Sequence, residues 1–123
     1  MKYLCLGYHD ENALRAMTPL ERIALFDESR AYNDRLRRTG HFVEGKSLQG
    51  RQATITLRFE KGHVSVAEGP FARSKEQLGG LMVLEARDLN QAIQLLSQLP
   101  SMRPGGCLEI RPIEDCSNTG EDP

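Results

Sequence analysis

The segment EGPFARSKEQLGG, residues 68–80, separates two parts of this chain that carry different secondary-structure patterns. Gly69-Pro70 is typical of a strand end at which the chain reverses direction. Ser74 and Gln77 have the spacing of a capping box, which predicts a single helical turn. Gly79-Gly80 predicts positive φ angles or a close backbone approach where the chain enters the next strand.

Before this segment, the sequence predicts a strand, a helix, a second strand and a hairpin. The helix is marked by Thr18 as cap, Pro19 at the first position and Glu21 in the capping-box position, and it ends at Gly40. The hairpin is indicated by strict alternation of apolar and polar residues on each side of a Lys61-Gly62 turn. The predicted bounds are a strand over 2–8, an irregular polar link over 9–17, a helix over 19–39, a strand over 41–48 and a hairpin over 52–67.

After the segment, the sequence predicts a strand, a helix and a last strand. Asp88 caps the helix with Gln91 in the box position, and Pro100 ends it. The helix carries apolar residues at helical spacing, namely Leu89, Ala92, Ile93, Leu96 and Leu99. The strands are predicted over 81–86 and 107–113, and residues 1–113 are predicted to form one domain followed by a frayed polar tail over 114–123.

The order β-α-β-β-β-β-α-β predicts an α+β fold, a ferredoxin-like sandwich with a mostly antiparallel sheet and two helices on one face. Residues 3–8 and 81–86 are apolar at both odd and even positions, so these strands need cover on both sides. We expect a homodimer with the sheets face to face to supply the second cover. The alternatives are an exposed apolar face or a tail that folds over it.

Composition excludes several classes of function. The 123 residues carry 16 basic and 17 acidic side chains, so no basic surface for nucleic acid is expected. The apolar runs are too short for a membrane span, and the N-terminus lacks a signal-peptide pattern, so a cytoplasmic protein is predicted. Cys5, Cys107 and Cys116 form no C-x-x-C pair, which argues against a disulfide framework or a zinc site. Cys5 and Cys107 are expected to be buried.

The central segment also carries a family likeness. Glu68-Gly69-Pro70-Phe71-Ala72, followed by 74–80, resembles the signature of the YCII-related family, DGPF subgroup, and residues 1–4, 53–58 and 109–112 add to the likeness. The resemblance covers residues 1–113 and implies a ferredoxin-like fold of the dimeric α/β-barrel type. Glu68, Arg73 and Leu81 depart from the usual pattern, in which an Asp, a Glu and an aromatic residue stand at these positions.

The resemblance carries over little chemistry. In the wider YCII group, activity has been proposed for a His–Asp pair with the His on the first helix, but residues 19–39 contain no histidine. Members of the DGPF subgroup often resemble companions of extracytoplasmic-function sigma factors, which implies a regulatory role beside an enzymatic one.

The residues themselves suggest two kinds of site in and around the 68–80 segment. Arg73, Lys75 and Glu76 crowd beside a permissive backbone, where an anionic small molecule could bind. Glu68, Glu76 or His9 could act as a general base. Tyr8 and Arg111 are further ligand-binding candidates, although Arg111 could instead pair with Glu109 or Glu85. A purely structural role for the segment is the competing interpretation.

No nucleotide loop, catalytic triad or metal-ligand spacing is present, so no cofactor or metal is predicted. His9 with Asp10 and Glu11 is better explained as a solvent-accessible histidine than as a metal ligand. The leading hypothesis is a dimeric protein that binds a small, anionic organic molecule. The alternatives are a lyase or isomerase that uses carboxylate or histidine acid–base chemistry, and a non-catalytic regulatory partner.

Overall fold

In a computed structural model, which describes residues 1–72 and 74–114, the chain has six strands, three α-helices and two short 3₁₀ helices. The strands are β1 (Lys2–Asp10), β2 (Phe42–Ser47), β3 (Ile55–Glu60), β4 (His63–Glu68), β5 (Glu76–Glu85) and β6 (Cys107–Pro112). The helices are α1 (Glu11–Arg15), α2 (Pro19–Arg38) and α3 (Leu89–Leu96), and the 3₁₀ helices are Arg51–Ala53 and Pro100–Met102.

Four of the strands form one antiparallel sheet in the order β2-β5-β1-β6. The two central strands are β1 and β5, in the register Tyr3 opposite Leu84 and Cys5 opposite Met82. With two βα units feeding this sheet, the order is that of a ferredoxin-like sandwich. The predicted α+β class with a mostly antiparallel sheet is confirmed.

The core lies between one face of this sheet and the helices α2 and α3. Every second residue of a strand points into this core, because side chains alternate between the two faces of a strand. The Tyr32 hydroxyl of α2 donates to the Leu95 carbonyl of α3 at 2.5 Å, which ties the two helices together. The buried apolar residues are Tyr3, Cys5, Tyr32, Leu36, Leu84, Ala86, Ala92, Leu96 and Leu99.

Both predicted helix starts are present. The Thr18 hydroxyl accepts from the Glu21 amide at 3.1 Å, and the Glu21 carboxylate accepts from the Thr18 amide at 2.9 Å, so the capping box is complete. The Asp88 carboxylate accepts from the Gln91 amide at 2.9 Å at the start of α3. These bonds satisfy amides that have no partner within the helix.

The hairpin β3–β4 forms a separate two-stranded sheet. Its turn has positive φ angles at Lys61 (49°) and Gly62 (82°), as a tight hairpin turn requires. The apolar face of the hairpin is exposed: Leu57 lies opposite Val66, Phe59 lies opposite Val64, and Phe59 is 74% exposed. The hairpin therefore adds no strand to the main sheet.

Two boundaries differ from the prediction. The first strand continues to Asp10 and leads directly into α1, where a polar link was expected, because the Asp10 carboxylate accepts from the Asn12 amide at 2.8 Å and caps a helical turn. The predicted turn over residues 74–77 is wrong. There the chain pairs with β1, with Asp10 opposite Glu76, so β5 begins five residues earlier than the predicted start at Leu81.

The expected burial of Cys107 is also wrong, whereas Cys5 is buried. Cys107 begins β6, which is an edge strand of the sheet, so its thiol is exposed. Cys116 and the predicted tail beyond Glu114 lie outside the described residues. Among the described helices, none has the length and apolar character needed to cross a membrane.

Candidate functional site

A cleft of about 370 Å³ opens between α2, the 3₁₀ helix Pro100–Met102 and the end of the sheet where His9 of β1 approaches Gly79 of β5. We call it the helix–sheet cleft. Its wall carries apolar and polar side chains together with five glycines of strand and loop. The polar or ionisable residues that line it are Tyr8, His9, Ser29, Asn33, Lys46, Ser47, Ser101 and Cys107.

His9 is held at this cleft by the absence of a side chain at Gly79. A Cβ at Gly79 would lie 2.1 Å from Cε1 and 2.2 Å from Nδ1 of His9, well inside van der Waals contact. The neighbouring Gly80 lies close to the backbone of β2, because a Cβ at this position would be 3.1 Å from the Lys46 carbonyl oxygen. Of the two explanations predicted for Gly79-Gly80, close backbone approach is therefore the right one, since neither glycine has a positive φ.

Asn33 supplies the second distinctive feature of the cleft. Its Oδ1 is buried and has no hydrogen-bond partner within residues 1–72 and 74–114. Ser29 lies one turn earlier on α2 and lines the same wall, since residues four apart share a helix face. The sequence interpretation missed both residues. The available signal was a polar pair that interrupts the apolar stripe formed by Leu25, Tyr32 and Leu36.

A second, larger cleft of about 860 Å³ lies between the main sheet and the base of the hairpin. We call it the hairpin cleft. Tyr8 and Glu76 line it, together with Phe71 and hairpin residues such as Ile55 and Leu57. Tyr8 also lines the helix–sheet cleft, so it stands between the two.

The predicted charged cluster does not converge on the helix–sheet cleft. Lys75 and Glu76 are exposed, and only Glu76 lines a cleft, the hairpin cleft. Glu68 is exposed at the end of β4. Arg73 lies outside the described residues.

Gln77, near the start of β5, braces the loop that precedes this strand. It is buried, and its side-chain amide nitrogen, Nε2, donates to the Ala72 carbonyl at 3.0 Å and to the Ser74 carbonyl at 2.6 Å. The Ser74 hydroxyl accepts from the Glu76 amide at 3.1 Å. The serine and glutamine that suggested a helical capping box therefore brace a non-helical loop.

Arg111 lies on the opposite side of the sheet, as does the side chain of Tyr8, which borders both clefts at the end of β1. We call this side the outer sheet face. It contains Leu4, Leu6, Leu81 and Val83, which alternate with core residues along β1 and β5. The Glu109 carboxylate, acting as hydrogen-bond acceptor and negative charge, raises the pKa of Tyr8, and Arg111 opposes this shift.

Arg111 itself is exposed and lies opposite Leu4. It forms no ion pair with a carboxylate in the described part of the chain, and Glu85 instead contacts the N-terminal ammonium group at 3.4 Å. The same part of the chain contains no group of three or more His, Cys, Asp or Glu side chains arranged to hold a metal ion.

Comparison with known proteins is consistent with this architecture. The family model of the YCII-related domain matches residues 1–117. The chain belongs to the YCII-related family. An uncharacterised protein of Rhizobium meliloti (strain 1021) is 30% identical to this YCII-related chain over 114 residues, 92% of each protein.

Among solved structures, a similar fold is found in a 5-chloro-2-hydroxyhydroquinone dehydrochlorinase from Burkholderia phenoliruptrix AC1100, in complex with 2,5-dihydroxybenzoquinone. The TM-score is 0.57 at 15% sequence identity, and the match covers 96% of this chain and 98% of the other. At that identity the likeness supports the ferredoxin-like α+β fold alone.

In this YCII-related chain the imidazole at the cleft comes from β1 and not from the first long helix. α2 contributes Ser29 and Asn33 to the cleft, and His9 reaches it from the end of β1. The site is therefore lined by one histidine together with hydroxyl and amide side chains, and the described lining residues include no carboxylate.

Proposed function

We propose that this protein binds a small, anionic organic molecule in the helix–sheet cleft. The observation that carries the proposal is the composition of the cleft wall: the His9 side chain lines it, and no Asp or Glu lies among the described lining residues. A volume of about 370 Å³ falls in the range of small-molecule sites. An anion here meets hydrogen-bond donors and no opposing carboxylate.

The imidazole of His9 supports an anionic group at that end of the ligand, because its ring lies against Gly79 at the cleft. The Lys46 side chain does not contribute to the cleft. Lys46 lies opposite Leu81, so its side chain projects to the outer sheet face, where the ammonium lies 4.0 Å from the Glu44 carboxylate. Apolar residues, including Phe42, Met82 and Leu108, line other parts of the wall and suit a ring or short carbon skeleton.

Binding of benzoate and the three hydroxybenzoates by isothermal titration tests this proposal. We expect at least one of these acids to bind the wild type, and His9→Ala to weaken it by about tenfold, since it removes a partner of the carboxylate. His63→Ala, at the exposed start of β4, is the matched control and should bind as the wild type does.

Lys75→Ala separates this site from the one first suggested by the 68–80 segment. Lys75 is exposed and does not line the helix–sheet cleft, so its substitution should leave the affinity unchanged. Loss of binding in Lys75→Ala with retention in His9→Ala would move the anion site to the 68–80 segment, where Arg73, Lys75 and Glu76 were the expected ligand residues. Absence of binding by every acid would refute the proposal.

An acid–base enzyme is the second candidate, favoured by the single imidazole of His9 at the cleft. A histidine titrates near neutral pH and can transfer protons in either direction. Glu68 and Glu76, the other candidate bases, are exposed outside this cleft, so His9 is the group on which the enzymatic alternative depends. An activity found with a cleft ligand and lost in His9→Gln at unchanged affinity would establish it.

A homodimer is proposed as the assembled state, with the outer sheet face covered by a second copy. The face carries Leu4, Leu6, Leu81 and Val83. The hairpin carries further exposed apolar residues, namely Ile55, Leu57, Phe59, Val64 and Val66. A contiguous apolar surface of this kind is typical of an association site. Placement in the DGPF subgroup is supported by the Glu68-Gly69-Pro70-Phe71 motif and is likewise proposed.

A further inference from the structure

Asn33 carries a buried acceptor that the folded chain does not use. Its neighbours Tyr32 and Leu36 on α2 are in the core, and Asn33 lines the helix–sheet cleft beside them. Within the described residues its Oδ1 is buried and has no hydrogen-bond partner. Leaving a buried carbonyl oxygen unpaired is costly, and native structures contain few such groups.

We propose that Asn33 determines ligand specificity in this cleft: its side chain, whose Oδ1 is covered in the ligand-free chain, turns toward the cleft and accepts a hydrogen bond from a hydroxyl group of the ligand. This rests on the proposed binding function and narrows its ligand class. The ligand is a small hydroxylated ring acid, with its anionic group toward His9 and its hydroxyl toward Asn33.

The charge of the cleft wall favours a ligand hydroxyl over a charged ligand group as the donor to Asn33. A ligand ammonium would enter a cleft that contains His9 and, among the described lining residues, no carboxylate to compensate it. A neutral O–H brings one donor at little desolvation cost and satisfies the unpaired Asn33 oxygen.

The apolar residues that line the cleft beside Asn33 favour a ring in the ligand. Cys5, Phe42, Leu99 and Leu108 contribute apolar surface to the same cleft. An apolar wall with a few placed polar groups is the usual composition of a site that orients a small cyclic ligand. A site that positions an acceptor for a hydroxyl discriminates strongly against analogues that lack it.

The experiment compares each of 2-, 3- and 4-hydroxybenzoate with its methyl ether, by titration of the full chain. The ether keeps the ring and the carboxylate but has no donor. We expect the best hydroxybenzoate to bind the wild type about tenfold more tightly than its ether. In Asn33→Leu, which is similar in volume but has no acceptor, the two should bind equally.

Asn90→Leu is the matched control, because Asn90 is exposed on α3 and does not line the cleft. It should keep the wild-type preference for the hydroxyl. Equal affinity of acid and ether in the wild type, or a preference that survives in Asn33→Leu, would overturn this inference while leaving the proposed binding function intact. Failure of every acid and ether to bind would instead refute the binding function itself.

A ligand-free measurement separates a ligand-binding role from a structural one. If Asn33 is held unpaired for a ligand, Asn33→Leu and Asn33→Ala should both fold, and the leucine variant should melt at or above the wild-type temperature. A melting temperature lowered by several degrees in both variants would show that the amide stabilises the fold, and would overturn the inference independently of any ligand.

Discussion

At the scale of single residues, the contact between Gly79 and His9 makes the first prediction. Gly79→Ala places a methyl group where the His9 ring lies, 2.1 Å from Cε1, so the ring must rotate out of the cleft. A rotamer change of this kind costs about 0.5–1.5 kcal/mol of stability, so the variant should fold. It should nevertheless bind the cleft ligand as weakly as His9→Ala. Calorimetric titration of both variants with the ligand measures the affinity. The NMR signal of the His9 imidazole reports whether the ring has moved.

Two controls make that prediction sharp. Gly7→Ala adds the same methyl group on β1, where its nearest neighbour is the Gly80 carbonyl at an ordinary 3.7 Å, and should leave the His9 NMR signal in place. The double variant with His9→Ala and Gly79→Ala should bind no more weakly than either single one, because both act on the same ring. Additive losses would contradict the proposed link.

Cys5 gives a pH-dependent prediction. Burial raises the pKa of its thiol from 9.0 to about 11. The unfolded chain therefore loses this proton at lower pH than the folded one, so the thiol's contribution to stability is complete below pH 9 and is lost as pH rises toward 11. The loss should reach about 2–3 kcal/mol in the free energy of unfolding. Urea unfolding at pH 8 and pH 10.5 measures it.

Other groups titrate in the same range, so the test is a difference between variants. Cys5→Ala should show a shallower fall in stability between pH 8 and pH 10.5 than the wild type. Cys107→Ala should match the wild-type slope, since the Cys107 thiol is exposed. Equal slopes in all three proteins would mean that the Cys5 thiol ionises freely in the folded state.

Some residues of the cleft could be predicted from the sequence and others could not, for a physical reason. His9 and Tyr8 were named from their position at a strand end, and both line the helix–sheet cleft. Asn33 was missed because a polar residue beside an apolar helix stripe can equally well face solvent, so the Ser29 and Asn33 pair is a weak signal by itself. Only the approach of the sheet and of the Pro100–Met102 turn makes its oxygen buried.

At the scale of elements, local chemistry was a sound guide where it acts alone. The capping box at Thr18, the end of α2 before Gly40 and the Lys61-Gly62 turn all depend on hydrogen bonds and φ angles within a few residues, and all are present. Such signals do not require knowledge of the rest of the chain.

Local chemistry failed where a distant strand competes for the same backbone. Ser74 and Gln77 have helix-start spacing, but pairing with β1 extends β5 back to Glu76 and uses both side chains to brace the preceding loop. The apolar stripe predicted for α3 is only partly buried: Ala92 and Leu96 are buried, whereas Ile93 is 45% exposed. A stripe predicts the direction of a buried face but not the width of the surface that covers it.

At the scale of the whole molecule, the apolar outer sheet face leads to a prediction of assembly. The wild type should sediment at twice the 13.8 kDa chain mass at micromolar concentration, because a second copy would remove this face from water. Leu6→Arg places a charge in the middle of the face, beside Leu81 in the pairing register, and should yield a monomer. Analytical ultracentrifugation measures both.

Leu20→Arg is the control for that substitution. Leu20 is 79% exposed on α2, away from the outer sheet face, so the same change of residue should leave the dimer intact. A wild type that sediments as a monomer would contradict the proposed assembly. Dissociation by Leu20→Arg but not by Leu6→Arg would place the interface on the helices instead.

The sequence by itself determined the family, the order of the elements and the α+β class, because hydrophobic periodicity, caps and turns are encoded in neighbouring residues. Tertiary structure alone decided where the cleft lies, that His9 occupies the space left by Gly79, and that the Asn33 oxygen is buried without a partner. Those features arise where β1, β5 and α2 meet, from residues that are dozens of positions apart, and burial is a property of the surroundings that no single segment specifies.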